Sequence, residues 1–497
     1  MSAQALDLPL LHLSRYVHAH PVADGVVALY HPFGHEVAIV PEQCWDLLKS
    51  SEFEPIPDDI FADLAQRKFL VPPRWDETVL DAYATQPIAG FFSLWLIVAQ
   101  TCNIGCTYCV VEADTQTDNL PQLPVLGKVP HGRMTTEVAE AALEVFRKSL
   151  QRHRQQFARV TLYGGEPLIN RPLLKHIIPL IRSLDWEGRE QPTEILCFTN
   201  GYLYDETLTE VFLQNDVTVG ISLDGPKVVN DRARVTRDGS GTYDKIVASY
   251  RRYVDAGVRV GLSCTLGNHT QGELLNIVSH FIDDLEAPSV QFQVPIQVPD
   301  GSPNYLDMAS IARETLEAFA LARNAGVEEG LAMRRLTSFA SGRFHYRDCA
   351  AVGGELAVSP DGTTGPCHNA TIGGEQYFKG NVLDAGFNPE ASSNFMEWHT
   401  RMPINMPGCH GCFAIGLCGG GCPYNALVAT GSIWQKDPQQ CGYMEQLIDW
   451  ILEDVWSRLN GHDGTESAPP QRQSARNRRG PVPLTLSYGA PGAGLGH

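Results

Sequence analysis

The chain has 497 residues and a formal net charge of −19, from 38 Lys plus Arg against 57 Asp plus Glu. That balance excludes a non-specific nucleic-acid binder or a sensor of anionic membranes, both of which need positive surface. Hydrophobic residues at 43% suffice for a large core and exclude a wholly disordered chain, no apolar run reaches the roughly 18 residues of a membrane span, and no signal-peptide pattern opens the sequence, so it reads as cytoplasmic.

Four zones follow in chain order. Residues 1–90 read as a small N-terminal α+β module. Val26–Tyr30 and Glu36–Val40 suggest a hairpin, Trp45–Leu48 a short helix and Asp58–Arg67 a further helix, before Phe69-Leu70-Val71 and Pro72-Pro73. Residues 91–325 alternate strand and helix. Strands are predicted at Leu94–Ala99, Arg159–Tyr163, Ile195–Thr199, Val217–Leu223, Arg259–Thr265 and Val290–Val294. Helices are predicted over Thr136–Leu150, Leu173–Leu184, Thr242–Ala256 and Glu273–Asp284, with Thr135 or Thr136 capping the first. Six βα units in a row predict an α/β fold with a parallel sheet, either doubly wound or curled into a partial barrel. In both cases the active site belongs at the C-terminal strand ends. Residues 340–457 are rich in Cys and Gly, and only Met444–Leu459 reads as a clear helix. Metal ligation would supply the folding free energy that apolar burial lacks there. Residues 460–497 carry Pro, Gly, Ser and Arg in the composition of a disordered tail.

The thirteen cysteines are unevenly spread: three fall between 102 and 109 and seven between 349 and 441. An odd, clustered set without a secretory signal fits metal binding better than disulfides. Cys44, Cys197 and Cys264 stand alone and read as plain core thiols. Cys102-x3-Cys106-x2-Cys109 follows the first strand of the βα series. Three thiolates at that spacing can wrap one iron–sulfur cluster and leave one iron without a protein ligand. A zinc site or three unrelated buried thiols is the plainer reading of the loop alone.

The segment Cys102-Asn103-Ile104-Gly105-Cys106-Thr107-Tyr108-Cys109 resembles the signature loop of the radical S-adenosylmethionine (SAM) enzymes. The resemblance implies a [4Fe–4S] cluster on the three cysteines. Its fourth iron would bind the methionine part of SAM, and Tyr108 would flank the adenine. Tyr163-Gly164-Gly165-Glu166-Pro167 closes the second strand and is similar to the family element that contacts the SAM amino group. Two glycines let backbone approach a ligand closely, and a glutamate can accept from a cationic amine; an ordinary strand-to-helix turn is the other reading. Thr199-Asn200-Gly201 ends the third strand, and Ser222-Leu223-Asp224-Gly225-Pro226 ends the fourth. Ser222 and Asp224, two apart on a strand, point the same way and suit a ribose diol, though Asp-Gly-Pro also makes a plain turn. Asp231-x2-Arg234 and Gly239-Ser240-Gly241-Thr242-Tyr243 resemble a stretch of the peptide-modifying members. Arg234 is a candidate for the SAM carboxylate or else a helix-surface arginine. His269 and His280 show no ligand spacing.

The C-terminal cysteines, Cys349, Cys367, Cys409, Cys412, Cys418, Cys422 and Cys441, resemble the seven-cysteine SPASM domain, the auxiliary-cluster module of peptide-modifying radical SAM enzymes. By resemblance, Cys409, Cys412, Cys418 and Cys441 ligate an outer [4Fe–4S] cluster, while Cys349, Cys367 and Cys422 ligate an inner one that is left a ligand short. A substrate thiolate, Asp348, a nearby histidine or water would complete it. A zinc ribbon is the rival, but seven thiols do not divide into two four-cysteine zinc sites. Two positions depart from the anaerobic sulfatase-maturating relatives. Arg343 stands where they carry an extra cysteine, and His368 where they carry a catalytic aspartate.

The resemblance, over residues 92–445, implies a partial (β/α)6 barrel core flanked by the N-terminal module and a Cys-rich iron–sulfur domain. It also implies SAM and three [4Fe–4S] clusters as cofactors, a peptide or protein substrate, and an electron donor such as flavodoxin or ferredoxin. The expected activity is oxidative crosslinking of a ribosomally made peptide, through a thioether or a carbon–carbon bond, with no catalytic base assigned. Sulfatase-maturase-like oxidation to formylglycine and a non-catalytic zinc-binding protein are the alternatives. The N-terminal module is similar to leader-peptide recognition modules, which add the peptide as a strand to a sheet edge; a cap on the open barrel edge fits equally.

Overall fold

The computed structural model describes residues 11–84, 90–109, 132–184, 191–296, 306–369 and 377–460. Apart from Asn460, the predicted tail lies outside them.

The N-terminal module contains β1 (His12–Leu13), β2 (His18–Ala23), β3 (Val26–His31), β4 (Glu36–Pro41) and β5 (Leu70–Val71). β2, β3 and β4 form an antiparallel three-stranded sheet, and β1 pairs β5. The predicted hairpin is therefore β3–β4. Helices Glu42–Ser50 and Asp58–Gln66 cover the sheet, burying Leu48, Phe61 and Leu64 against Val27, Leu29 and Val40. The module rests on the long C-terminal helix Pro438–Leu459, where His18 Nε2 meets Asp449 at 2.7 Å and His20 Nε2 meets Glu453 at 3.1 Å.

All six core strands form, each within a residue of its predicted ends: β6 (Ser93–Ala99), β7 (Arg159–Gly164), β8 (Glu194–Thr199), β9 (Val217–Ser222), β10 (Arg259–Thr265) and β11 (Ser289–Gln293). They are parallel and hydrogen-bonded in chain order. A doubly wound sheet reverses its strand order at a switch point; this one never does, so the partial-barrel form holds. Alternation along the strands explains the closure. Leu94, Leu96, Val98, Val160, Leu162, Ile195, Val219, Ile221, Val260 and Leu262 face outward into the main core beneath the helices. The alternate residues Trp95, Thr161, Phe198 and Gln291 line an interior cavity. Helices Thr136–Arg152, Arg171–Arg182, Tyr243–Asp255 and Leu274–Asp283 lie where periodicity predicted them, and Thr135 Oγ1 caps the first by accepting from the Val138 N–H.

The Cys-rich zone departs from expectation in two ways. Its β13 (Glu355–Val358) pairs parallel with β6 and carries β14 (Thr364–Gly365), while β12 (Glu328–Glu329) extends the other edge beyond β11. The sheet thus has nine strands among the described residues, and the Cys-rich zone contributes two of them. The zone also holds more helix than predicted: Ser393–His399, Pro423–Thr430 and Pro438–Leu459, which begins six residues before the predicted start. Asp437 caps this last helix through the Gln439 N–H. No described helix is long and apolar enough to cross a membrane.

Glu329 gives a pH-dependent prediction. It is fully buried and accepts from the N–H groups of Leu331 and Ala332 at the start of helix Gly330–Ala340. Burial pushes its carboxyl up to about 7, from an ordinary 4.5. A raised carboxyl contributes stability that is complete below pH ~4.5 and lost as pH rises through ~7. Chemical denaturation across pH 5–8 should therefore show wild type losing stability relative to Glu329→Gln, and parallel curves would contradict the assignment.

Candidate functional site

The C-terminal ends of β6 to β10 bring the predicted motifs to one rim. The cysteine loop leaves β6 and is pinned from the far side of the barrel. Gly105 N donates to Val235 O at 2.8 Å, Thr107 N to Ala233 O at 3.0 Å, and Arg237 Nη2 to Cys102 O at 3.0 Å. Burial, with Glu166 adding, pushes the Cys102 thiol up to about 11. Burial likewise drives Cys106 to about 12 although Arg234 opposes it; Cys109 raises both Cys102 and Cys106, and Cys102 also raises Cys106. Thiols held together in this state need a metal charge to ionise, which is the chemistry an iron–sulfur cluster provides. Asn200, at the end of β8, donates from Nδ2 to Cys102 Sγ at 3.4 Å and to Asn103 Oδ1 at 2.9 Å.

Gly164 and Gly165 answer to a nearer neighbour than a ligand. Gly164 lies at φ +147°, and a Cβ there would sit 2.0 Å from Ala99 O; one on Gly165 would sit 2.5 Å from Thr101 O. Gly165 N and Glu166 N donate to those same carbonyls at 2.8 and 3.0 Å. The glycines let the end of β7 close against the root of the cysteine loop. Gly165→Ala should displace Thr101 and Cys102 and depress the iron retained by the loop. Iron analysis of the reconstituted variant tests this, and a full complement would contradict it.

Glu166 is fully buried. Its Oε1 accepts from Leu168 N at 2.9 Å and Thr199 Oγ1 at 2.8 Å, and its Oε2 from Asn200 N at 2.8 Å. Burial raises its carboxyl to about 7 against those hydrogen bonds. It thus caps the turn Pro167–Asn170, as the plainer reading expected, while standing beside Cys102.

Asp224 is the hub of the rim and is also fully buried. Its Oδ2 accepts from Tyr108 Oη at 2.6 Å, meets His269 Nε2 at 3.0 Å and pairs with Arg234 Nε at 3.0 Å, while Oδ1 accepts from Thr265 N at 2.9 Å. Burial alone would raise its carboxyl, but Arg234, His269 and Tyr108 hold it below the usual range. Tyr108 lies between His269, stacked at 5.2 Å, and the Arg234 guanidinium, 5.4 Å from its ring centre. Arg234 is therefore not a helix-surface residue: it is 5% exposed and also reaches Thr265 Oγ1 at 3.3 Å. Ser222 ends β9 beside this cluster, and its hydroxyl makes no hydrogen bond among the described residues. Asp231 serves the scaffold: its Oδ1 accepts from Thr242 N and Tyr243 N at the start of helix Tyr243–Asp255.

Sequence reasoning missed His269 and Asn200. His269 follows the end of β10, so its position directly beyond a core strand was the available signal. Asn200 lay in a noted motif without a role.

The C-terminal cysteines fall into two groups. Cys349, Cys367 and Cys422 line the cavity of about 220 Å³ that Trp95, Thr161 and Phe198 also line. Burial pushes Cys349 and Cys367 above the ordinary thiol range, with Cys422 adding to both, and pushes Cys422 up to about 12. Cys409, Cys412, Cys418 and Cys441 form the other group. Burial drives Cys409 to about 11, with Cys412 and Cys441 adding, and the same two neighbours raise Cys418 beyond the effect of its burial. The turn between Cys418 and Cys422 separates the groups. Gly419, Gly420 and Gly421 run at φ +69°, +86° and +68°, a left-handed path that side chains resist. Arg401, fully buried, lies near both groups, and its guanidinium donates to the carbonyls of Gly420, Gly421, Ile433 and Gln435.

Comparison with known proteins gives a consistent pattern. Residues 96–281 match the Radical SAM superfamily model. The chain is similar to the radical SAM cyclopropyl synthase TigE of Paramaledivibacter caminithermalis, 22% identical over 382 residues, 73% of this chain and 74% of that protein. It is similar to a cysteine-type anaerobic sulfatase-maturating enzyme of Clostridium perfringens, 23% identical over 36% of this chain but only 45% of that enzyme. Among solved structures, anSMEcpe with bound AdoMet shares the fold at a TM-score of 0.62 and 18% identity, covering 74% of this chain and 99% of that one. SuiB of Streptococcus suis bound to precursor peptide SuiA shares it at 0.51 and 12% identity, covering 87% and 100%.

Proposed function

We propose, for a chain whose residues 96–281 form a radical SAM domain, that it is a radical SAM oxidoreductase that modifies a ribosomally made peptide, with crosslinking as the outcome. The observation that carries this reading is the convergence of two cysteine groups on one barrel. Cys102, Cys106 and Cys109 stand on the C-terminal rim, and Cys349, Cys367 and Cys422 open into the interior cavity below. A relative named as a cyclopropyl synthase and a fold neighbour solved with its precursor peptide support the substrate class. SAM and three [4Fe–4S] clusters are the cofactors of the proposal. When bound, the first cluster and SAM supply a 5′-deoxyadenosyl radical that takes hydrogen from an unactivated C–H bond.

The chain's own residues then have definable parts. Cys102, Cys106 and Cys109 hold the first cluster, and Asn200 orients Cys102. Glu166, Ser222, Asp224 and Arg234 surround the place for SAM, with Tyr108 fixed by Asp224. The barrel interior, lined by Trp95, Thr161, Phe198 and Gln291, accepts the peptide side chain. Cys409, Cys412, Cys418 and Cys441 hold an outer cluster. A flavodoxin- or ferredoxin-type donor supplies the electron that cleaves SAM, and the second electron of the net two-hydrogen oxidation leaves the peptide through the clusters of the Cys-rich zone. Domain limits of 1–90, 91–325 and 340–457 belong to the same reading. So does leader-peptide recognition by the N-terminal module.

The experiment is co-production with each short peptide that the flanking genes encode, followed by mass spectrometry. Loss of two hydrogens from the peptide, with substrate deuterium appearing in 5′-deoxyadenosine, is expected. Formation of 5′-deoxyadenosine with an unchanged peptide and no deuterium transfer would overturn the peptide assignment.

A further inference from the structure

Three cysteines leave a four-iron cluster one ligand short, and the cavity lined by Cys349, Cys367 and Cys422 contains further donors. Glu355, Cys367 and His368 each offer one ligand atom, and those atoms lie within 4.8 Å of one another. Glu355 heads β13 in register with Ser93 of β6, and Ala357 is in register with Trp95, so Glu355 shares the face that carries the Trp95 ring into the barrel.

Glu355 is 4% exposed. A carboxylate so buried is costly unless strong donors or a metal compensate it. Its Oε1 is satisfied: the backbone N–H of His368 donates to it at 2.8 Å, and His368 Nδ1 lies 2.9 Å away. The His368 ring is held flat on Trp95, with centroids 3.6 Å apart and planes at 5°. Among the described residues, no hydrogen bond engages Glu355 Oε2. The other carboxylates lining the cavity are committed elsewhere. Asp348 pairs with Arg335 Nη2 at 2.5 Å and Arg334 at 3.5 Å. Asp437 accepts from Cys422 N through Oδ2 and from Gln439 N through Oδ1.

We propose that Glu355 is the fourth protein ligand of the inner cluster, through Oε2, with His368 as the positioning residue that holds Oε1. A ligand's uncoordinated atom fixed by a neighbouring donor is the usual outer support of a metal site. The inner cluster then has no open iron for a substrate thiolate and acts as an electron carrier. The proposal rests on the reading of Cys349, Cys367 and Cys422 as inner-cluster ligands.

The test uses full-length reconstituted protein in which Cys102, Cys106 and Cys109 are replaced by Ala, which removes the cluster that ends in an open iron. Samples are mildly oxidised and read by iron analysis and by the EPR signal of a three-iron cluster. With Glu355 in place, the four-iron form should persist. Glu355→Ala should lose about one iron per chain and gain the three-iron signal, and Glu355→Cys, which restores a fourth ligand, should not. An equal three-iron signal with and without Glu355 would overturn the ligand assignment alone. Iron for a single cluster before oxidation would overturn the inner-cluster reading itself.

Discussion

Cys106→Ala abolishes 5′-deoxyadenosine formation. Cys106 lies at the centre of the loop, where burial raises its thiol, Cys109, Asp224 and Cys102 add to that, and Arg234 opposes it. A four-iron cluster needs three protein thiolates to keep one iron for a small-molecule ligand, and two cannot retain it. The seven C-terminal cysteines are untouched by the change, so auxiliary iron should remain while SAM cleavage falls below detection. Product analysis after anaerobic reconstitution checks this, and cleavage at the wild-type rate would contradict the ligand set.

Asp224→Ala destabilises the protein by about 3–5 kcal/mol, the cost of removing one partner from a buried ion pair. Arg234 would be left buried with Thr265 Oγ1 as its side-chain hydrogen-bond acceptor, and Tyr108 and His269 would each lose a contact on the same carboxylate. Asp224→Asn keeps an acceptor in place and should cost less. Chemical denaturation of the apoprotein measures both, and a loss below about 0.5 kcal/mol for the alanine variant would show that the hub is not structural.

Much of this arrangement was legible in the sequence, and the reason is local. The core strands alternate apolar and polar residues with a two-residue period, as in Arg159-Val160-Thr161-Leu162-Tyr163 and Ser289-Val290-Gln291-Phe292-Gln293, so both their existence and their faces are written in five residues. From that alternate face Arg159, Thr161, Gln291 and Gln293 line the interior cavity. The cysteine loop and the glycines after β7 were legible because their spacing is short. What remained hidden depends on contacts far along the chain. β13 is only four residues long and gains its place by pairing with β6, some 260 residues earlier in sequence. Glu355 became noticeable only as a charge at the head of a buried strand, and His269 only once Asp224 was beside it. The glycine pair was singled out for close approach to a ligand, and the close approach that the structure shows is to Ala99 and Thr101.

In the proposed function, Cys102, Cys106 and Cys109 hold a cluster that cleaves SAM. The most direct measurement is 5′-deoxyadenosine, quantified by mass spectrometry after the anaerobically reconstituted full chain is incubated with SAM and a strong reductant. Reductant-dependent product is expected from protein that carries iron and no zinc in its cysteines. Fully iron-loaded protein that forms no 5′-deoxyadenosine, or cysteines filled by zinc, would contradict it.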